Sequence, residues 1–327
     1  MTATPARRTL VTGGAGFIGS NLVDALLEAG HEVTVVDNLV TGRRTNLDGA
    51  LARGARFHEV DILDRDALAA VFAEARPEWV FHLAAQIDVR KSVDDPAFDA
   101  TVNVVGSINV LEVSREHGVS RVINTSTGGA IYGHAEQIPT PEQAPEHPLA
   151  AYGTSKLCAE QYCAWSARLH GLSTLTLRLA NVYGPRQDPL GEAGVVAIFC
   201  DKVLSGDAPT IFGDGTQTRD FVYVGDVVRA QLAGAAASLT GVANVGTGRE
   251  TSVLEVVDAV AEAARTANPE GGDWPAPILA EPRSGEVHRS CLDGERAAAQ
   301  LGFTPRISLV DGLAETLRWV RSTHVVG

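Results

Sequence analysis

The stretch LVTGGAGFIGSN, residues 10–21, joins an apolar run to an amphipathic one through four glycines. Outward from it, short segments rich in β-branched residues alternate with longer amphipathic segments as far as about residue 180. Strands that alternate with helices of this length indicate a parallel sheet covered on both faces, which is a doubly wound α/β (Rossmann) domain. The predicted strands are 9–12, 32–37, 55–61, 79–84, 121–126 and 174–180, and the predicted helices include 17–29, 64–75, 96–117 and 150–169.

The sequence pattern changes after residue 184, where glycine and proline separate shorter elements, as in YGPRQDPLGEAG and FGDGTQTRDF. We therefore predict a second, smaller, loop-rich α/β domain. The expected boundaries are 1–182 plus 217–262 for the first domain and 183–216 plus 263–327 for the second.

Composition argues against several classes of function. No run reaches the roughly 18 apolar residues of a membrane span, and the net charge of -13 argues against a nucleic-acid partner. The N-terminal MTATPARRTL lacks the apolar region of a signal peptide, and the four cysteines show no metal-ligand spacing. We expect a cytoplasmic protein with reduced thiols, no metal site and no membrane partner.

Three glycines of the opening stretch, Gly14, Gly16 and Gly19, fit the pattern G-x-G-x-x-G between a strand and a helix. This pattern suits a dinucleotide because it permits a tight turn and a close approach of the backbone to a pyrophosphate. The helix N-terminus that follows favours the anion.

Asp37 ends the second predicted strand, where a carboxylate accepts hydrogen bonds from an adenosine ribose and repels a 2′-phosphate. NAD is therefore predicted in preference to NADP, although Arg43 and Arg44 follow closely and keep NADP open. Asp61 ends the third predicted strand, where it can either reach the adenine or cap the next helix.

Tyr152 and Lys156 are four residues apart near the start of predicted helix 150–169, so they share one helical face. Lowering the pKa of a tyrosine from 10 to 7 requires about 4 kcal/mol, which a neighbouring ammonium and an oxidised nicotinamide can supply. The pair then predicts a base for a substrate hydroxyl; the alternative is an exposed aromatic residue beside a solvated amine.

Several motifs together resemble those of the extended short-chain dehydrogenases/reductases, and in particular those of the UDP-galactose 4-epimerase branch. They are TGGAGFIG, HLAAQ, NTSTGGAIYG, YGTSK, RLANVYGPRQDP and RDFVYVGDV. The resemblance extends over about residues 8–320.

The resemblance implies that NAD occupies a groove along the first domain, where Lys156 would hold the nicotinamide ribose. The implied cofactor-binding residues are Gly13, Gly16, Phe17, Ile18, Gly19, Asp37, Asn38, Asp61, Ile62, Leu83, Ala84, Ala85, Gln86, Asn103 and Lys156.

The resemblance also implies that Tyr152 is the acid/base and that a hydroxyl of the NTSTGGAIYG segment bridges it to the sugar. Many relatives have that hydroxyl where this chain has Gly128, so Thr127 is expected in the role, with Ser126 as the alternative. Related dehydratases and decarboxylases have an acidic residue at the position of Ala130, so its absence favours simple epimerisation.

Contacts to the substrate diphosphate and base are implied for a further set of residues. These are Asn181, Val195, Phe212, Arg219 and Arg283. Glu286 stands where the epimerase pattern usually has Asp, and the resemblance implies that it contacts the ribose. Ser290 is small where some relatives have a bulky residue, which predicts a permissive sugar pocket.

The predicted function is NAD-dependent 4-epimerisation of a nucleotide sugar, with UDP-glucose and UDP-galactose as the first choice. A 4-epimerase of another nucleotide sugar, such as a UDP-N-acetylhexosamine, UDP-uronate or NDP-heptose, and a non-catalytic NAD-sensing protein on the same fold remain alternatives. Helices 96–117 and 150–169 match those that form a homodimer interface in relatives.

Overall fold

The structure is a computed structural model that describes residues 5–189, 194–267, 274–282 and 287–324. Its strands are β1 (Arg8–Thr12), β2 (Glu32–Asp37), β3 (Arg56–Glu59), β4 (Trp79–His82), β5 (Arg121–Thr127), β6 (Thr174–Leu179), β7 (Asn181–Tyr183), β8 (Thr210–Phe212), β9 (Thr218–Arg219), β10 (Phe221–Tyr223), β11 (Gly241–Val245), β12 (Thr251–Ser252) and β13 (Ile278–Ala280). Its helices are α1 (Phe17–Glu28), α2 (Asp48–Ala52), α3 (Arg65–Ala75), α4 (Val89–Asp94), α5 (Pro96–Ala100), α6 (Gly106–Glu116), α7 (Gly128–Ile131), α8 (Ala151–His170), α9 (Val195–Ser205), α10 (Val224–Ala236), α11 (Val253–Ala267), α12 (Glu295–Leu301) and α13 (Leu309–His324). A 3₁₀ turn at Arg44–Leu47 precedes α2, and a π turn at Thr101–Val105 joins α5 to α6.

Seven strands form one parallel sheet in the order β11-β6-β5-β4-β1-β2-β3. Strands β4 and β6 are buried along their whole length, because helices cover both faces of a parallel sheet. Helices α1 and α10 pack on one face, and α3, α6 and α8 pack on the other. The predicted doubly wound α/β fold is confirmed.

The strand order reverses between β1 and β4, which places a crevice beyond the carboxyl ends of these two strands. Ligands of open α/β sheets bind in such a crevice. The turns after β1 and β4 meet closely there, since a Cβ atom added to Gly13 would lie 2.6 Å from the backbone nitrogen of Ala84.

Beyond the sheet, short strand pairs form a second, loop-rich region. Strand β7 pairs with β10, β8 with β13, and β9 with β12. Helices α9, α11 and α13 enclose a second apolar core that includes Phe199, Phe221 and Leu317. Strand β11 returns to the main sheet, whereas α11 packs in the second core. The domain boundaries expected from the sequence stay a prediction.

The six predicted strands and four predicted helices are all present, with two informative differences. Strand β3 ends at Glu59 and β4 at His82, before the predicted ends, as the chain turns into the crevice. The predicted single helix 96–117 consists of α5, the π turn and α6. Among the described residues, no helix combines the length and apolar character that a membrane span requires.

Candidate active site

The glycine-rich turn follows β1 and leads into α1. Gly13 has a φ of +70°, which favours glycine, and a Cβ atom on Gly19 would collide with the carbonyl oxygen of Gly13. Gly16 is the N-cap of α1 and provides no side-chain cap. The first N–H groups of the helix, from Phe17, Ile18 and Gly19, have no intrahelical carbonyl to bind, so they suit an anion such as a pyrophosphate.

Asp37 ends β2 with its side chain buried against this turn. Its Oδ2 accepts a hydrogen bond from the backbone nitrogen of Ala15 at 2.9 Å, and Oδ1 accepts one from Leu39 at 2.8 Å. Burial raises the pKa of Asp37, and these two hydrogen bonds oppose the shift. Each carboxylate oxygen keeps a further acceptor position, so the residue suits the ribose hydroxyls of NAD.

The end of β3 lies beside the end of β2. Asn38 Nδ2 donates to Asp61 Oδ2 at 2.8 Å, and Ile62 packs against Gly106 of α6. The N-cap interpretation of Asp61 is wrong, because Asp64 caps α3 with its side chain. Contact of Asp61 with the adenine stays a prediction.

The HLAAQ turn, residues 82–86, follows β4 and precedes α4. The N–H of Leu83 donates a hydrogen bond to the carbonyl oxygen of Thr12 at 3.1 Å. Gln86 and Asn103 make a reciprocal pair, in which the Gln86 N–H donates to Asn103 Oδ1 at 2.8 Å and Asn103 Nδ2 donates to the Gln86 carbonyl at 3.0 Å. The side chain of Asn103 thus fixes the backbone of this turn.

His82 is a buried member of the same turn that sequence reasoning did not single out. Its Nδ1 lies 2.7 Å from Thr12 Oγ1, and its Nε2 lies 2.9 Å from Ser107 Oγ. Ser107 donates its own proton to the Asn103 carbonyl, so His82 donates to Ser107 and accepts from Thr12. Burial, aided by the nearby Lys156 charge, lowers the pKa of His82 to about 3, which agrees with a neutral ring.

Tyr152 and Lys156 lie one helical turn apart at the start of α8. Lys156 is only 4% exposed, so the interpretation of the pair as a surface aromatic and a solvated amine is wrong. Burial lowers the pKa of Lys156 to about 8, opposed by Glu160, Cys163 and Asp99. Burial also raises the pKa of Tyr152 to about 12, and Asp99 adds to the rise. Among the described residues, none accepts a hydrogen bond from the Lys156 ammonium, which leaves it available to a ligand.

The first turn of α8 is capped from elsewhere in the chain. Ala150 is its N-cap and has no side chain to accept a hydrogen bond. Instead, the N–H of Tyr152 donates to Ser92 Oγ at 3.0 Å, and Ser92 donates to the Val89 carbonyl at 2.7 Å. A fully buried serine on α4 therefore sets the position of the Tyr152 backbone.

The two candidate hydroxyls end β5. Ser126 is 3% exposed, and its Oγ has no hydrogen-bond partner among the described residues. Thr127 is partly exposed and does not cap α7 with its side chain. A Cβ atom added to Gly129 would lie 4.0 Å from Thr127 Oγ1 and 3.5 Å from Asn181 Oδ1, so Thr127 and the substrate candidate Asn181 flank the same glycine.

The chain is similar to known proteins over most of its length. Residues 9–246 match the model of the NAD dependent epimerase/dehydratase family. The chain belongs to that family. A UDP-glucose 4-epimerase of Mycolicibacterium smegmatis is 47% identical over 317 residues, which cover 96% of this chain and 99% of that one.

Two solved structures of family members are similar along nearly their whole length. One is a UDP-glucose 4-epimerase of Thermotoga maritima with UDP-glucose, at a TM-score of 0.90 and 46% identity, covering 97% of this chain and 99% of that chain. The other is a Thermus thermophilus UDP-glucose 4-epimerase in complex with NAD, at a TM-score of 0.88 and 43% identity, covering 96% and 99%. NAD as the cofactor and the predicted relationship to extended short-chain dehydrogenases/reductases are confirmed.

Predicted substrate contacts of this epimerase/dehydratase chain lie in the second region. Asn181 begins β7, Val195 begins α9, Phe212 ends β8 and Arg219 ends β9. The Arg219 guanidinium donates to the carbonyl oxygen of Thr218 at 2.8 Å. Arg283 and Glu286 lie outside the described residues.

A cavity of about 220 Å³ lies beside Asn181 and the first turn of α9, with Tyr183, Gln187 and Phe221 in its wall. A larger, open depression of about 570 Å³ between residues 141–143 and α12 contains none of the predicted site residues. The smaller cavity is therefore the more relevant to the site.

Proposed function

We propose that this chain is an NAD-dependent UDP-hexose 4-epimerase that interconverts UDP-glucose and UDP-galactose. The relatives at 43–47% identity with that activity in their names support the proposal. The observation that carries it is the Tyr152–Lys156 pair at the start of α8, with a buried ammonium that no described residue binds. A purely NAD-sensing protein has no use for an acid/base residue beside that ammonium.

Tyr152 would take the proton of the sugar 4-hydroxyl and later return it. When bound, NAD would oxidise C4 of the sugar and then reduce the resulting ketone, and its oxidised ring would add positive charge beside the phenol. Because burial raises the pKa of Tyr152 to about 12, Lys156 has to stabilise the phenolate electrostatically. Lys156 would also donate hydrogen bonds to the nicotinamide ribose.

Thr127 is the better candidate for the bridging hydroxyl, with Ser126 as the alternative. Thr127 is partly exposed and lies next to Asn181 across Gly129, whereas Ser126 is almost fully buried. A hydroxyl that must reach a sugar needs access to the crevice.

In our proposal, the second region holds the nucleotide. Arg219 and Arg283 would bind the diphosphate, Phe212 and Asn181 the base and the adjoining groups, and Glu286 the ribose. The sugar itself would be held loosely, so that it can turn and present its other face for reduction. Val195, at the first turn of α9, would contact the substrate.

We also propose that the protein acts in the cytoplasm as a homodimer. Exposed apolar side chains lie on the segment 96–105 and on α8, namely Phe98, Val105, Tyr162, Trp165 and Leu169. Analytical ultracentrifugation of the parent protein should give twice the mass of one chain. Leu169→Glu should reduce this to the mass of one chain, whereas Val40→Glu, at an exposed apolar position elsewhere, should leave the dimer intact.

The cysteines agree with the proposed location in the cytoplasm. All four are free thiols, which suits a reducing compartment, and cell fractionation would test the location.

The experiment for the activity is proton NMR of purified protein with UDP-glucose, UDP-galactose, UDP-N-acetylglucosamine and GDP-, ADP- and dTDP-hexoses, with and without added NAD. We expect a mixture of 4-epimers from the UDP-hexoses. Tyr152→Phe should lower kcat by about 10²- to 10⁴-fold while NAD still binds. Tyr162→Phe on the same helix is the matched control. The absence of turnover of every UDP-sugar would overturn the proposal.

A further inference from the structure

Asp99 is a buried carboxylate beside the reacting pair to which the proposed mechanism gives no role. Its side chain is 0% exposed. Oδ1 accepts hydrogen bonds from Gln86 Nε2 at 2.8 Å and from Asn103 Nδ2 at 3.1 Å. Oδ2 is buried and has no hydrogen-bond partner among the described residues. Burial of a charged carboxylate costs a large free energy unless a positive charge lies nearby.

The π turn explains how Asp99 comes to lie on the same side of the chain as Asn103 and Ser107. Asp99, Asn103 and Ser107 follow one another at intervals of four residues and are all buried. In an uninterrupted α-helix, residues eight apart are about 80° apart around the axis. The wider π turn at Thr101–Val105 counteracts this drift, so that the three polar side chains point to one side.

Asp99 is connected to the catalytic turn of α8 by a short chain of hydrogen bonds. Asn103 Nδ2 lies 3.1 Å from Ser155 Oγ, and Ser155 Oγ donates to the carbonyl oxygen of Tyr152 at 3.0 Å. Ser155 is the residue before Lys156. Asp99, Asn103 and Ser155 therefore join the π turn to the helix that carries both reacting groups.

The charged and titratable groups around Lys156 leave a role for Asp99. Glu160 and Cys163 come from α8 itself, Asp99 from α5, and His82 from β4. Both oxygens of Glu160 are already bound by the Arg178 guanidinium, at 2.7 to 3.1 Å. Burial raises the pKa of the Cys163 thiol to about 12, and His82 is neutral. Of the two carboxylates that act on Lys156, Asp99 is the one with an oxygen to spare.

We propose that Asp99 is a positioning residue, which serves as the internal counter-ion of the Lys156 ammonium and is tied to the catalytic turn through Asn103 and Ser155. The inference rests on the proposed function in that Tyr152 and Lys156 are the reacting pair. The same negative charge disfavours the phenolate of Tyr152. Asp99 thus keeps the resting pair as a neutral phenol and a charged ammonium, until ligands alter the balance.

Lysine composition makes a direct test possible, because the chain has only three lysines, Lys91, Lys156 and Lys202. The protein would be labelled with ¹³Cε-lysine and titrated by NMR without cofactor or substrate. Lys156→Met assigns the Lys156 signal, and Lys91 and Lys202 serve as internal references. Because no turnover is needed, the result does not depend on whether the protein epimerises UDP-sugars.

The test variant is Asp99→Asn, which removes the charge but keeps an acceptor oxygen for Gln86 and Asn103. We expect the pKa of Lys156 to fall by about one pH unit. Asp95→Asn is the matched control, since Asp95 is an exposed carboxylate four residues earlier that caps α5, and asparagine also caps helices. The control should leave Lys156 unchanged.

An unchanged titration of Lys156 in Asp99→Asn would overturn the proposal. If Asp99→Asn does not fold, the ¹³Cγ signal of Asp99 can be followed in the parent protein and in Lys156→Met. A counter-ion of Lys156 should show a changed chemical shift when the ammonium is removed, and an identical signal would equally overturn the proposal.

Discussion

The two regions of the molecule hold their site residues differently. Around the crevice of the sheet, Asp99, Asn103 and Ser155 are each at most 4% exposed and are joined by hydrogen bonds. In the second region, Phe212 and Arg219 are only partly buried on strands of three and two residues. The rigid setting of the first region matches the proposed chemistry, because a proton acceptor has to be held in a fixed position.

We expect the largest loss of stability when the buried ion pair behind the proposed reacting residues is broken. Arg178 and Glu160 have side chains only 2% and 3% exposed, with Nη2 and Oε2 2.7 Å apart. Arg178→Met leaves Glu160 buried without its cation and removes the donor to the Tyr132 hydroxyl. We expect a loss of about 3–5 kcal/mol in the free energy of unfolding, measured by urea denaturation.

The control for that change is an ion pair of the second region. Arg289 and Glu250 also pair, but their side chains are 56% and 26% exposed. Arg289→Met should leave the urea midpoint within experimental error, because water screens the charges. Equal effects of the two substitutions would mean that the regions do not differ as described.

The second prediction concerns the decrease in the free energy of unfolding that burial of the Lys156 ammonium causes. Its pKa is lowered from 10.5 to about 8 in the folded state, so the folded protein binds fewer protons than the unfolded chain between these values. Stability of the cofactor-free parent should therefore rise with pH across this window. Lys156→Met should be more stable at pH 7 by about 3 kcal/mol and should lack this contribution to the slope. Urea denaturation at pH 7 and 10 checks both; a less stable variant at pH 7 would contradict the prediction.

The third prediction separates the two hydroxyls at the end of β5. Thr127→Val keeps the shape of the side chain and removes its hydroxyl, and we expect kcat to fall by about 10²-fold. Ser126→Ala should change kcat little, because Ser126 is almost fully buried. Steady-state kinetics with UDP-galactose decides between them, and the reverse order of effects would assign the role to Ser126.

The smallest expected effect is at the remote cap of α8. Ser92→Ala removes the acceptor for the Tyr152 N–H and should cost about 1 kcal/mol of stability, with a lower kcat and little change in KM. Ser114→Ala is a matched control, because Ser114 is also fully buried but its hydroxyl has no partner among the described residues. If the two alanine variants lose the same stability and activity, Ser92 does not position Tyr152.

Local signals were sufficient for the first region. The alternation of strands and helices, the glycines at 14, 16 and 19, and Asp37 at the end of β2 all depend on residues near one another in sequence. The spacing of Tyr152 and Lys156 also follows from helix geometry alone. Asp99, Asn103 and Ser107 are likewise spaced four residues apart in predicted helix 96–117, which indicates a shared polar face.

The sequence by itself therefore determined the sheet, the dinucleotide motif and the shared helical face of the proposed reacting pair, because backbone periodicity and side-chain spacing are local properties. Only the tertiary structure decided the burial of Lys156, the cap that Ser92 provides across 60 residues, and the link from Asp99 to the catalytic turn. Each of these depends on segments far apart in the chain coming into contact. Their energies come from desolvation and from hydrogen bonds whose partners no local pattern specifies.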